Sequence, residues 1–199
     1  MKTSIIKTTV NTLTLISALA LSSMAQAEIA KAGKYIIDGA HTSINFSVSH
    51  LGTSILNGRF NTVEGNFNFA PKGNSKVEVK IDTASVDTNH TKRNDHLKSP
   101  DFFNVKQFPE MKFSANKVAY SNTGEPTKIT GTLTLHGETN PVILDVQAIG
   151  AGKDPWGGYR VGYKATTTIK RSDYGMKFML GGIGDKISIV LNIEAIKNK

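Results

Sequence analysis

Five histidines, His41, His50, His90, His96 and His136, are the side chains of this chain that could exchange protons near neutral pH without help from an unusual environment. His90 and His96 stand six apart, so a helix would point them to different faces. No His-x-His or His-Glu-x-x-His spacing is present to hold a metal. A metal site would have to be assembled from separate strands, and the plainer reading is of polar residues at strand ends and on a solvated helix. Nucleophilic chemistry finds as little support: no serine sits in a Gly-x-Ser-x-Gly elbow, and the chain has no Cys. Gly150-Ala151-Gly152 and Gly181-Gly182-Ile183-Gly184 do not continue as phosphate-binding loops and read as turns. Asp87, Asp95 and Asp101 cluster with Lys92, Arg93 and Lys98, either as a solvated, capped helix or as a polar collar around a pocket mouth. A hydrolase built on Asp87, His90 and a water would need a convergence that no spacing supports. The expectation is therefore no catalytic residue, no metal ligand and no resident cofactor.

The elements that would carry these residues are strands. Apolar and polar residues alternate in Ile44-Asn45-Phe46-Ser47-Val48 and Val77-Glu78-Val79-Lys80-Ile81, which gives a strand one apolar face. The rhythm returns at Phe67–Phe69, Met111–Ala115, Ile129–Leu135, Val142–Val146, Val161–Ile169 and Ile187–Ile193. Turn residues punctuate it at Asp38-Gly39, Asn57-Gly58, Asn122-Thr123-Gly124, His136-Gly137 and Gly157-Gly158, so most joins read as hairpins. Gly65 and Gly131 fall inside strand patterns, where glycine commonly marks a bulge or bend. The exception is Thr88 to Pro109, which has a helix-compatible stretch Asn89–Lys98 closed by Pro100. Phe102, Phe103 and Phe108 then put apolar bulk in that connection, which is predicted to pack over something. Trp156, in Asp154-Pro155-Trp156-Gly157-Gly158, is expected to fold its indole over the end or edge of the sheet.

The first 27 residues carry an address. Lys2 and Lys7 precede an uncharged, largely apolar stretch, Val10 to Ser23, and the segment closes on Ala25-Gln26-Ala27. A basic end, an apolar middle and small residues before the break form a secretory signal, cleaved after Ala27. The stretch is too short and too interrupted to span a membrane. Cleavage would leave a chain of residues 28–199 working outside the cytoplasm. Loss of Lys2 and Lys7 lowers the formal charge from +8 to +6, and no dense basic run with interleaved aromatics argues for nucleic acid. A weak attraction to anionic membrane surfaces is compatible with that surplus. Without Cys, an exported domain of this size must be held by its core.

The fold class that follows is all-β: an antiparallel sandwich or closed barrel of one domain. Ile44, Phe46, Val48, Phe67, Phe69, Val77, Val79 and Ile81 would share its inward face. An eight-stranded barrel is the size at which such a face either fills the interior or leaves room for one small ligand, and periodicity does not decide between them.

Specific stretches carry a resemblance. Tyr35-Ile36-Ile37-Asp38 with His41-Thr42-Ser43-Ile44-Asn45-Phe46, Ser85-Val86-Asp87-Thr88-Asn89 leading to Arg93 and His96-Leu97-Lys98-Ser99, and Asp101-Phe102-Phe103 with Phe108-Pro109 resemble the YceI-like proteins. Gly131-Thr132-Leu133-Thr134-Leu135-His136-Gly137, Asp154-Pro155-Trp156-Gly157-Gly158, Arg160 and Arg171-Ser172-Asp173-Tyr174-Gly175-Met176 follow in the same order. The resemblance implies an eight-stranded antiparallel, lipocalin-like barrel over residues 28–199, with a short helical connection near one end. It also implies a non-catalytic periplasmic binder or carrier of a long isoprenoid, such as a polyprenyl lipid or quinone tail, or a related lipid. On that reading Ile44, Phe46, Val48, Phe67, Phe69, Val79, Ile81, Phe102, Phe103 and Phe113 form an apolar lining, and Asn89, Arg93 and His96 a polar mouth. A homodimer is compatible with the family. Asn94 departs from the pattern, because an acidic residue usually follows the arginine there. The competing expectation is a structural or stress-protective secreted barrel with a filled interior and no dedicated ligand.

Overall fold

Every alternating stretch becomes a strand in the computed structural model, which describes residues 28–198. The proposed leader lies outside the described residues. The elements run β1 (Gly33–Ile37), β2 (Ser43–His50), β3 (Ser54–Phe60), β4 (Val63–Phe69), β5 (Lys76–Asp82), β6 (Val86–Asp87), α1 (Thr91–Lys98), β7 (Glu110–Tyr120), β8 (Pro126–Leu135), β9 (Glu138–Lys153), β10 (Tyr159–Lys170) and β11 (Ile183–Lys197). All pairs are antiparallel, and β1 closes the sheet by pairing with both β4 and β11.

Three of the strands are bent. β1 and β2 both pair with β11, through Tyr35↔Lys197 and Ile44↔Leu191, so Asp38-Gly39 kinks one long strand where a hairpin was expected. In the same way β3 pairs with β2 while β4 pairs with β1, and β5 pairs with β4 while β6 pairs with β3. The eleven segments thus build one eight-stranded barrel, because each half-strand continues its partner's ladder past a corner. Two other expected turns are also strand: Asn57-Gly58 lies within β3, and Gly150-Ala151-Gly152 within β9. In β9 the ladder slips between Gly162 and Tyr163 of its partner β10, so the glycines sit beside a bulge. Gly131 lies near a similar slip between β7 and β8, at Ala115 and Lys117, as expected of it. Gly65 instead marks a close approach, since a Cβ there would stand 2.4 Å from the Glu78 carbonyl oxygen.

The β6 to β7 connection holds α1, the only α-helix among the described residues. His90 caps its start, with Nδ1 accepting from the Arg93 amide at 3.2 Å, and Ser99 ends it in extended backbone because Pro100 follows.

The interior is packed at one end and hollow at the other. Tyr35 stacks on Phe67 at 5.2 Å, Phe67 on Phe69 at 4.4 Å, and Tyr163 meets Phe69 edge-on at 5.4 Å. Each of these rings is buried, a contribution of about 1.5–3 kcal/mol per large side chain. The segment before β1 plugs this end: the Ala30 amide donates to Glu125 at 2.7 Å, and the Tyr159 hydroxyl donates to the Ile29 carbonyl at 3.3 Å. Burial pushes the Tyr35 phenol up to about 12 and raises that of Tyr163.

Candidate functional site

Above the aromatic floor the inward side chains stop meeting, leaving a cavity of about 720 Å³. That is within the range of small-molecule sites, about 300–1,000 Å³. All ten residues expected in an apolar lining stand on its wall: Ile44, Phe46, Val48, Phe67, Phe69, Val79, Ile81, Phe102, Phe103 and Phe113. Beside β2 the wall continues on β11, whose Ile187, Ile189, Leu191 and Ile193 alternate inward. Their rhythm is plain in the sequence, yet the expected lining does not include them. Leu97, Phe178 and Met179, also on the wall, carried no such signal because they stand in a helix and a connection.

Lining residues that remain solvent-exposed mark the mouth. The apolar ones are Ile55 on β3, and Phe178 and Met179 in the β10 to β11 connection, and exposed Ser54, Asn57 and His96 stand with them. From Ser54 to Gly58, β3 pairs with β2 alone, since β6 reaches only Arg59 and Phe60. His96 of α1 meets Phe102 at 5.1 Å and Phe178 at 5.2 Å, so helix and connection touch through aromatic edges at the opening. Its Nε2 lies 2.9 Å from Asp101 Oδ2.

Arg93 and His96 border the cavity as expected, and Asn89 does not. Asn89 is exposed and has a φ of 59°, with its amide donating to Asp87 Oδ1 at 2.8 Å. Asparagine tolerates that left-handed backbone, and its place turns the chain from β6 into α1. Asn94, the departure from the family pattern, takes over a structural role. Its Oδ1 accepts from the Thr88 amide and hydroxyl at 2.8 and 2.6 Å, and its Nδ2 donates to Asp87 at 3.2 Å. Arg93 is oriented by Thr88, donating to Thr88 Oγ1 at 2.8 Å and to its carbonyl at 2.7 Å.

Arg171 borders the site too, although in the sequence it is marked only by the stretch Arg171–Met176 that carries the resemblance. Only 3% exposed, it borders the cavity and donates to the carbonyls of Met176, Ile183 and Gly184 at 2.7, 2.9 and 3.0 Å. Burial lowers its pKa, while the charge of Asp185 raises it. The guanidinium fork thereby staples both ends of the mouth connection to the barrel.

One titratable cluster lies away from the cavity. Asp38, His41 and Glu194 bring ligand atoms within 4.8 Å of one another. Arg160 Nη1 donates to Asp38 at 2.6 Å and to Glu194 at 2.5 Å, so a guanidinium already binds these carboxylates. The cluster is an ion-pair network that ties β10 and β11 to the corner after β1. Nearby Trp156 contradicts its expected packing: it is 81% exposed, in a turn closed by Gly157 and Gly158. The turn's Asp154 accepts from the Trp156 and Gly158 amides, which holds the backbone without any need of the indole.

A closed barrel around a single-mouthed apolar chamber places the chain among the lipocalin-like barrels. The particular family is shown by sequence: the YceI-like domain matches residues 35–195, and the chain belongs to that family. It is 46% identical over 170 residues to a UPF0312 protein of Shewanella denitrificans, covering 83% of this chain and 88% of the relative. A UPF0312 protein of Pseudomonas aeruginosa is 44% identical over 187 residues, covering 92% and 97%. Among solved structures, the Campylobacter jejuni YceI protein aligns with TM-score 0.66 and 31% identity over 76% of this chain and 90% of that one. A polyisoprenoid-binding domain from Saccharophagus degradans aligns with TM-score 0.62 and 17% identity over 84% and 100%, which is likeness of fold.

Proposed function

We propose that this protein is a non-catalytic periplasmic carrier of a long-chain lipid, an isoprenoid with a polyprenyl or quinone-bearing end being the leading class. The carrying observation is the cavity: about 720 Å³, walled by aliphatic and aromatic side chains from every strand of the ring and entered at one end. A flexible hydrocarbon gains about 25 cal/mol per Å² removed from water, and a narrow chamber covers most of its surface. The polar groups near the entrance, Arg93, His96 and Arg171, suit an oxygen-bearing end left at the mouth. The Saccharophagus domain, described as polyisoprenoid-binding, supports the ligand class by analogy of fold. A stress-protective barrel without a ligand would call for a filled interior, and the hollow above Phe67 and Phe69 argues against it. The secretory pattern ending at Ala27 supports export, and no helix among the described residues is long and apolar enough to cross a membrane.

The test is organic extraction of protein purified from its native compartment, followed by mass spectrometry. A stoichiometric isoprenoid or other long-chain lipid is the expected result, on a chain whose N-terminal sequence begins at Glu28. Protein that carries no lipid and takes up none from added polyprenol or quinone would end this reading.

A further inference from the structure

Ten large apolar side chains are exposed among the described residues, and five of them gather at the mouth: Leu51, Ile55, Phe178, Met179 and Leu180. The others, such as Ile36, Ile143 and Ile149, are scattered over the outer wall and the turns. The mouth group is contiguous. The Leu51 amide donates to the Gly182 carbonyl at 2.6 Å, and a Cβ on Gly182 would stand 2.8 Å from the Met179 methyl and 3.2 Å from Leu51 Cδ2. The tip of the β2–β3 hairpin and the β10–β11 connection therefore present one apolar rim.

The backbone presents it at a cost. Leu51 and Met179 have φ of 52° and 49°, a left-handed conformation in which bulky side chains are rarely found. The other non-glycine residues with positive φ are asparagines and a histidine, which adopt it more readily. At both mouth positions a strained backbone carries an apolar side chain that is more than half, or half, exposed at 57% and 50%. Strain of this kind is maintained where the placement of the side chain has a use.

Charge indicates the occupant. Lys170 and Lys186 pair directly across β10 and β11 at the base of the connection, and Lys177 lies within it; all three are exposed. None is within ion-pair distance of an acid among the described residues. The two acids of this segment are Asp173, exposed, and Asp185, which accepts from the Ser172 amide and hydroxyl. Like charges opposed across a ladder repel, and an anionic surface would relieve them. We propose that the rim is a docking surface for an anionic bilayer, with Leu51, Met179 and Leu180 entering the interface and Lys170, Lys177 and Lys186 meeting lipid phosphates. Docked in this way the mouth opens onto the membrane, so a hydrocarbon chain passes between bilayer and barrel without crossing water.

The surface concerns partition onto a bilayer and is tested apart from whatever the cavity holds. The mature protein is sedimented with vesicles of phosphatidylcholine alone and of phosphatidylcholine with an equal part of phosphatidylglycerol. Binding is expected on the anionic vesicles and should weaken with salt. The double variant Leu51→Asn/Leu180→Ser replaces no cavity-lining residue and eases the strained turn, so it should fold at least as well while binding falls by about tenfold or more. Lys177→Glu should reduce binding to the anionic vesicles only. Ile143→Ser/Ile149→Ser, on the outer wall, should bind as the wild type does. Equal binding by the rim variant, an equal loss in the wall variant, or a rim variant that only splits a dimer into monomers would overturn the proposal.

Discussion

The ring of Phe46 lies over Gly58, its partner across the β2–β3 ladder, so closely that a Cβ at residue 58 would stand 2.3 Å from its Cζ. Thr88, just after β6, closes the same space, with its methyl 2.8 Å from that position. The glycine therefore lets an inward phenylalanine lie flat against the wall and leave the chamber open. Gly58→Ala should push the ring into the cavity, at about 1–3 kcal/mol in stability and with reduced lipid retention. Adding Phe46→Ala should restore retention, and the two changes should be strongly non-additive in a double-mutant cycle. Additive effects would show that the ring does not depend on the glycine.

Carboxylates placed at the floor and on the wall should act differently. Phe67 is 4% exposed and packed between Tyr35 and Phe69, so Phe67→Asp buries an unpaired charge in a filled region. Its cost, several kcal/mol, should appear as lost thermal stability. Ile189 faces Phe46 across the β11–β2 ladder and borders open space, where water entering an empty cavity can solvate the new group. Ile189→Asp should fold and lose its lipid. Paired thermal melts and lipid extraction on both variants make the comparison, and equal behaviour would contradict a packed floor beneath a hollow chamber.

Arg171 determines the order of the mouth connection. Arg171→Met removes donors from three carbonyls while preserving most of the side chain's volume. Unsatisfied buried groups cost about 1–3 kcal/mol each, less where water can reach them. Hydrogen exchange should rise across residues 176–184 and stay unchanged in β7 and β8. Lysine, a single point donor, should rescue it only in part. Uniform loss of protection across the barrel would mean that the arginine supports the whole fold and not this segment.

Period-two alternation carried the strands because one face of each meets the interior and the other meets water, and the resemblance supplied their number. Corners and bulges could not be read in that way. Asp38-Gly39 has the composition of a hairpin yet only bends a strand, since long-range pairing with β11 decides its direction. Asn57-Gly58 reads as a turn, but its glycine is required by a ring on the next strand. Trp156 was expected to pack, whereas the Asp154 carboxylate closes its turn through backbone amides and leaves the indole in water. The lining was foreseen for alternating residues of β2, β4, β5 and β7, whereas Ile187, Ile189, Leu191 and Ile193 of β11 alternate just as clearly and join it only through the closure of the ring. Arg171 and Met179 were not foreseen, because their position at the mouth follows from how a connection folds back, which no local pattern records.

Asp38 provides a pH test of the corner that joins β1 to β2. Its carboxylate accepts from Arg160 at 2.6 Å and lies 2.9 Å from His41 Nδ1, and these hydrogen bonds, that of Arg160 first, hold its pKa down from an ordinary 3.8 to about 2. A carboxylate whose pKa is lowered by folding stabilises the native state fully above its unfolded value. That contribution fades as pH falls from about 4 towards about 2, where the folded group takes up its proton. Arg160 also binds Glu194 and Asp154, so losing the guanidinium releases three carboxylates at once. Arg160→Met should therefore lower the melting temperature at neutral pH and flatten its decline between pH 4 and 2 relative to wild type. Thermal melts across that window make the measurement. An equally steep decline in both proteins would place the acid sensitivity elsewhere in the barrel.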